Sequence, residues 1–237
     1  FPKDYLKFML TGEISLEVSD CSGSYLFDVA NRRWSDEMFE VCGLPRDIVS
    51  NTVLESQDIA GYLKADVAEE LGLRAGIPVV GGAGDQPACG IGSGVYEEGI
   101  ISATIGTSGV VYAAANKPIP DVKRAAALSF CHSVPKMWSI LGCTLAAGGS
   151  FKWLRDTMFA RERDEMKASG EDIYNTMTEL ASQAKIGCEG LVFLPYLNGE
   201  RTPYPDPYAK GVFFGLSLRH TLADITRSVM EGVTFSL

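Results

Sequence analysis

The sequence predicts an α/β fold, a mixed sheet with helices packed on it. Short apolar runs bounded by turn residues, at 77–80, 137–141, 191–194 and 212–216, have the length of strands. Segments with apolar residues at helical spacing, such as Ile173, Met177, Leu180 and Ala184, alternate with them. Residues 99–115 read as two strands joined by the tight turn IGTSG, which makes one strand pair a hairpin. A hydrophobic content of 46% is enough to build a core.

PKDYLKFMLTG predicts a first helix with Tyr5, Leu6, Phe8 and Met9 as its apolar set and Gly12 as its end. A strand is expected over 25–29, with a turn at Asn31. Ser35 then caps a helix carrying Met38, Phe39 and Val41, which stops at Gly43 and Pro45. Residues 44–61 read as loop-rich and lead toward a domain boundary near residue 76. A helix over 64–71 is closed by Gly72, and 77–80 is a short buried strand. A helix over 145–159 opens on Ala146, Ala147, Gly148 and Gly149, and another covers 171–184. LPYLNGERTPYPDPYAKG is a loop between two short buried strands. Thr221 and Asp224 form a capping-box-like start for the last helix, whose core face is Leu222, Ile225, Val229 and Val233.

The 237 residues suffice for one large domain or parts of two. Lys plus Arg number 21 and Asp plus Glu 30, for a net charge of −9. An acidic chain without a basic stretch argues against a nucleic-acid partner, since that affinity comes largely from neutralising phosphates. A nucleotide is still allowed, because backbone N–H groups and Mg²⁺ can hold it. The six cysteines are scattered with no CxxC pair, the pattern of reduced core cysteines in a cytoplasmic protein. Two histidines, His132 and His220, do not make a His-rich metal site. No stretch reads as a cleavable signal or a membrane span; the longest apolar region, around 100–115, is broken by Gly106, Thr107, Ser108 and Gly109. Residues 1–10 read as a helix already under way, and the final helical pattern is still apolar at Leu237. The expectation is an internal piece of a longer protein.

Four constellations could carry chemistry. In VVGGAGDQPACGIG (79–92), a strand runs into glycines and then a lone carboxylate, Asp85. Ligands of open α/β sheets bind at strand ends, where such a carboxylate could take a proton from a hydroxyl. The same residue could instead cap the helix beginning near Gln86 and Pro87. In ATIGTSGVV, the turn with Thr107 and Ser108 could cup phosphate oxygens with its N–H groups, or be an ordinary hairpin turn. It is not a P-loop, since no GK[ST] follows. In LAAGGSFKWLRD, Gly148 and Gly149 either admit a ligand to a helix start or allow close packing, and Lys152 could reach a phosphate or be solvated. In NGERTPYPDP, Glu200 and Arg201 read as a loop salt bridge. His132 beside Ser133 lacks a G-x-S-x-G elbow, which sets a hydrolase aside. Trp34, Trp138 and Trp153 read as packing residues.

Taken in order, PKDYLKFMLTGE, VSDCSGSYLFDVANRRWS, GGAGDQ, ATIGTSGVVYA, HSVPKMWSILG, AAGGSFKWLRD, GLVFLPYLNGERTP and GVFFGLSLRHTLADITRSVMEG resemble the FGGY carbohydrate kinases along essentially the whole chain. The last contains Gly211, Phe213, Gly215 and Leu216 and, further on, Asp224, Ile225, Ser228, Val229, Met230 and Glu231. The resemblance implies an actin-like, ribonuclease-H-like fold of two domains with sugar and ATP between them. Residues 1–76 would be the end of the sugar-binding domain and 77–237 the start of the nucleotide-binding one. Asp85 matches the family's catalytic base, with Gln86 beside it in the sugar site. Gly106, Thr107 and Ser108 match the second phosphate-binding loop, and Gly148 and Lys152 fall where the nucleotide is contacted. The implied activity is ATP- and Mg²⁺-dependent phosphorylation of a ketopentose such as D-xylulose at its terminal hydroxyl. Gluconate, glycerol and other pentulose kinases are the alternatives within the family, and a non-catalytic actin-like ATP-binding module is the alternative outside it. The partners implied are small molecules, with no nucleic acid and no membrane, and oligomeric state stays open, a homodimer included. The family's first phosphate loop and its adenosine-binding segment have no counterpart in these residues, so the chain alone is expected to be inactive.

Overall fold

The computed structural model describes the backbone of residues 1–237 and every side chain except those of residues 168 and 169. The chain forms two compact units. One comprises Phe1–Ser102, Tyr112–Asp121 and Leu128–Leu141, and the other Ala103–Val111, Val122–Ala127 and Gly142–Leu237.

The first unit begins with α1 (Pro2–Thr11), β1 (Leu16–Glu17), α2 (Val18–Cys21), β2 (Phe27–Asp28), β3 (Arg33–Trp34) and α3 (Asp36–Cys42). It continues through β4 (Val53–Leu54), β5 (Ile59–Tyr62), α4 (Ala65–Leu71), β6 (Pro78–Val80) and α5 (Asp85–Gly92). β1 runs parallel to β4, while β2–β3 and β5–β6 are antiparallel pairs. The helix ends follow local chemistry. Gly12, Gly43 and Gly72 take left-handed φ values of 82°, 64° and 67° at C-caps, and the Ser35 hydroxyl accepts the Met38 N–H at 3.3 Å. The core joins Val18, Cys21, Phe27, Trp34, Phe39 and Cys131. Trp34 meets Phe27 and Phe39 edge-on, at centroid distances of 5.3 and 5.9 Å, contacts worth about 0.5–1.5 kcal/mol each beyond area burial.

Next come β7 (Ile101–Ile105), β8 (Gly109–Ala115), β9 (Leu128–Cys131) and β10 (Trp138–Thr144), in one sheet of order β7-β8-β10-β9. The second unit continues with α6 (Gly148–Met158), α7 (Ala160–Ser169), α8 (Ile173–Ser182), β11 (Val192–Leu194), β12 (Val212–Phe214) and α9 (Leu222–Phe235). β11 and β12 pair antiparallel. The Thr221–Asp224 capping box forms as expected. Leu154, Phe159, Ile173, Met177, Phe193 and Val229 make the core. No helix is long and apolar enough to cross a membrane among the described residues.

Several expectations change. α1 forms where predicted but buries its polar face: Asp4, Lys7 and Thr11 are inside, while Tyr5 and Leu6 are 67% and 60% exposed. The burial is tolerated because Lys7 Nζ lies 3.0 Å from Asp4 Oδ1, one turn away. The 44–61 region contains β4 and β5, whose short strands exist through their partners β1 and β6. β6 and β12 are not buried strands, since Val80, Val212 and Phe214 are exposed. α6 starts at Gly148, after a tight turn, rather than at 145. α7 was hidden because its sequence, ARERDEMKAS, has no apolar period. Leu222 is 38% exposed rather than part of the core, and Thr226 and Gly232 take places on the buried face of α9. Only Cys21, Cys131 and Cys188 are core cysteines; Cys42 and Cys89 are exposed.

His132 is fully buried and has a structural task. Its Nε2–H donates to the Val95 carbonyl at 2.9 Å, and its Nδ1 accepts the Val134 N–H at 2.9 Å. Burial, above all, holds its pKa below 6.5; Arg32 adds to this and the Val95 carbonyl opposes it. The unfolded chain therefore takes the proton first, and stability falls as pH drops below 6.5. An NMR titration should place the His132 midpoint below 6.5, and a midpoint at or above that value would contradict the burial argument. Gly232 packs against the Phe193 carbonyl so closely that a Cβ would overlap backbone. Gly232→Ala should destabilise the protein by about 2–3 kcal/mol in urea denaturation, and an unchanged midpoint would show that α9 and β11 can separate freely.

Candidate active site

In the first unit the chain leaves β6 through GGAG and enters α5 at Asp85. Each glycine has a steric or conformational reason. A Cβ on Gly81 would lie 2.8 Å from the Glu55 carbonyl oxygen, Gly82 has φ +77°, and a Cβ on Gly84 would lie 2.9 Å from Asp20 Oδ1. Gly84, not Asp85, is the N-cap of α5, and its N–H donates to Ser19 Oγ at 2.9 Å. Asp85 is the first helical residue and is exposed. Its carboxylate accepts the Gln86 N–H at 2.8 Å and makes no ion pair among the described residues. A carboxylate in the first turn also meets the positive end of the helix dipole. The cap reading is thus half right: Asp85 takes up a first-turn amide, yet stays open to solvent. Gln86 is half-buried beside it.

In the second unit the turn 106–108 is locked to the start of α6. The amides of Ala147 and Gly149 donate to the Thr107 carbonyl at 3.0 and 2.9 Å, and the Gly148 amide to the Gly106 carbonyl at 2.9 Å. A Cβ on Gly148 would come within 2.5 Å of Gly106 O, and one on Gly149 within 2.9 Å of Thr107 O. The glycines at this helix start therefore serve close packing, and their amides are already engaged. The groups left to meet an anion are different ones. The hydroxyls of Thr107 and Ser108 have no protein partner among the described residues, and the exposed Lys152 ammonium pairs with no carboxylate.

Gly106, Thr107, Gly148 and Lys152 line one cavity of about 430 Å³ with Gly149, Phe151 and Tyr174. Thr107 and Lys152 also line a neighbouring cavity of about 380 Å³, with Trp153 and Asp156 among its walls. Ser108 lies outside both linings. The Phe151 and Tyr174 rings stack at 5.6 Å and form an aromatic wall. Four of the five residues predicted to touch nucleotide in this unit thus share one cavity; Asp85 and Gln86 belong to the first unit.

Sequence profiles described as the N-terminal and C-terminal domains of the FGGY family of carbohydrate kinases match residues 1–92 and 101–237. The chain belongs to the FGGY family of carbohydrate kinases. It is 38% identical over 236 residues to a xylulose kinase of Escherichia coli (strain K12), covering 100% of this chain and 46% of that protein. It is 30% identical to a gluconokinase of Bacillus subtilis (strain 168), covering 99% of this chain and 45% of that protein. The crystal structure of ligand-bound xylulose kinase from Lactobacillus acidophilus superposes with a TM-score of 0.87 at 25% identity, covering 99% of this chain and 45% of that one. The chain therefore has the α/β, actin-like architecture of these FGGY kinases and spans about 45% of the length of the curated relatives it matches.

Sequence reasoning missed the residues that hold these segments. Glu200 does not form the expected salt bridge. It is 3% exposed, and its carboxylate accepts the Thr144 hydroxyl at 2.7 Å, the Leu145 N–H at 3.1 Å and the backbone N–H of Arg201 at 2.7 Å. It thus anchors the approach to the turn that opens α6. The same carboxylate, after burial itself, pushes the Tyr196 phenol above its ordinary pKa. Ser19 gave no signal either, although its neighbour Glu17 lies between Leu16 and Val18, a charge inside an otherwise apolar stretch. Glu200→Gln would turn an amide group toward buried donors. The variant should lose about 2–4 kcal/mol in urea denaturation, and a loss under about 0.5 kcal/mol would mean the three bonds do not anchor the loop.

Proposed function

We propose that the protein carrying this chain transfers the γ-phosphoryl group of ATP to the terminal hydroxyl of a ketopentose, D-xylulose, giving D-xylulose 5-phosphate. The observation that carries this reading is similarity to xylulose kinases along the entire chain, with 38% identity to the Escherichia coli protein. In this reading residues 1–92, which match the N-terminal-domain profile, carry the sugar side and the base, and residues 101–237 carry the nucleotide side. Similarity to a gluconokinase at 30% identity keeps gluconate as the second substrate to test.

Asp85 is assigned as the general base and Gln86 as a sugar contact. As the hydroxyl oxygen bonds to phosphorus, its O–H bond breaks and the proton passes to the Asp85 carboxylate. The bond between phosphorus and the ADP oxygen breaks, and its electron pair leaves with ADP. The transition state of phosphoryl transfer is loose, so positioning and charge neutralisation matter more than base strength. An exposed carboxylate that accepts one backbone amide fits that requirement. Thr107 and Ser108 would donate hydroxyls to phosphate oxygens, Lys152 would supply positive charge, and Gly106 and Gly148 would let the nucleotide approach closely. No group of three or more His, Cys, Asp or Glu could hold a metal ion among the described residues. Mg²⁺ would travel on the triphosphate, where it neutralises charge and needs few protein ligands.

On the longest natural chain that contains these residues, Asp85→Asn should lower kcat by ~10²–10⁴-fold while nucleotide binding persists. An unchanged kcat would remove Asp85 as the base, whereas no turnover in the natural protein, with nucleotide still bound, would favour a nucleotide-binding module without catalysis. Turnover of D-xylulose should exceed that of gluconate in a coupled ADP-release assay, and the reverse order would reassign the substrate. In the same assay the 237-residue chain alone should release no ADP in response to D-xylulose; sugar-dependent turnover would show that it holds a complete site.

A further inference from the structure

We propose that Glu17 and Ser19 are positioning residues that aim the Asp85 carboxylate, an inference that rests on the reading of Asp85 as the base. α5 begins with no cap of its own. Its N-cap is Gly84, which has no side chain, and Pro87 at the third helical position cannot return a carboxylate to the N-cap amide as a capping box would. Ser19, from α2, supplies what the helix lacks by accepting the Gly84 N–H at 2.9 Å. That bond fixes the residue immediately before Asp85.

Glu17 decides which way the Ser19 hydroxyl points. It is completely buried, and its carboxylate is an acceptor only. It accepts the Ser19 and Asp20 backbone amides at 2.9 and 3.3 Å, the Ser19 and Ser56 hydroxyls at 2.7 Å each, and Lys3 Nζ at 3.4 Å. A serine hydroxyl has one hydrogen. With that hydrogen committed to Glu17, the oxygen turns its lone pairs elsewhere, and the Gly84 amide occupies one of them. Asp20 also stands against the junction, since a Cβ on Gly84 would lie 2.9 Å from Asp20 Oδ1. Asp20 is itself tied to Lys3 at 3.1 Å. Rotating Asp85 away from an in-line hydroxyl would reduce the rate without weakening nucleotide binding.

Ser19 and Ser56 make a matched pair for the test, since each donates to Glu17 at 2.7 Å and only the Ser19 hydroxyl meets Gly84. On the longest natural chain that contains this sequence, Asp85→Asn is measured first. If it leaves transfer intact, the base reading fails and this inference falls with it. If it abolishes transfer, Ser19→Ala tests the inference alone. Ser19→Ala should lower kcat by ~10-fold or more with KM for ATP within ~2-fold, while Ser56→Ala keeps kcat within ~2-fold. Wild-type kcat in Ser19→Ala, or equal losses in both serine variants, would overturn it. Should Ser19→Ala fail to fold, Gly84→Ala displaces the same junction from the Asp20 side. The same loss in kcat alone is expected, and an unchanged kcat would overturn the proposal.

Discussion

The amides of Ala147, Gly148 and Gly149 are committed to the carbonyls of Gly106 and Thr107, and the cavity of the second unit depends on that commitment. It locks the hairpin turn against the start of α6 so closely that no side chain fits at 148 or 149. It also takes from the helix start the amides that would otherwise face an anion. What remains for phosphate chemistry includes two hydroxyls, Thr107 and Ser108, without a protein partner among the described residues, one ammonium group and the field of the helix dipole. The glycines here allow two backbone segments to touch, and the touching segments form the wall that a nucleotide would meet.

A second theme is the buried carboxylate used as an anchor. Glu17 and Glu200 lie in different units and do the same work. Each accepts at least one hydroxyl and two backbone amides, and each lies under a segment that leads to a candidate site. An ionised carboxylate is costly to bury unless its lone pairs are filled. Once filled by backbone amides, it fixes main chain and not merely side chains. Asp85 and Lys152, which carry the proposed chemistry, stay exposed, while the backbone that bears them is held from beneath. Rigid support under an accessible reacting group is what a loose phosphoryl-transfer transition state calls for.

The sequence revealed what local chemistry decides. Gly12, Gly43 and Gly72 end helices because a left-handed residue is needed there, and Ser35 and the Thr221–Asp224 pair start helices because free amides need acceptors. The IGTSG hairpin was equally legible, and so were most of the residues that line the candidate nucleotide cavity. Tertiary decisions were not. β4 and β5 are too short to announce themselves without the strands they pair with. α1 turns Asp4 and Lys7 inward because they pair with each other, which reverses the face that hydropathy chooses. The roles of Glu200 and Ser19 depend on partners 55 and 65 residues away in the chain, and Glu17 reaches Ser56 across 39 residues, distances at which no spacing rule applies.

The most direct measurement is a crystal structure of the longest natural chain containing these residues, with D-xylulose and a non-hydrolysable ATP analogue bound. An Asp85 carboxylate oxygen should lie within ~2.6–3.2 Å of the sugar's terminal hydroxyl, on the side opposite the leaving oxygen. A terminal hydroxyl that contacts a different acidic group, with the Asp85 carboxylate turned to solvent, would contradict the assignment of Asp85 as the base.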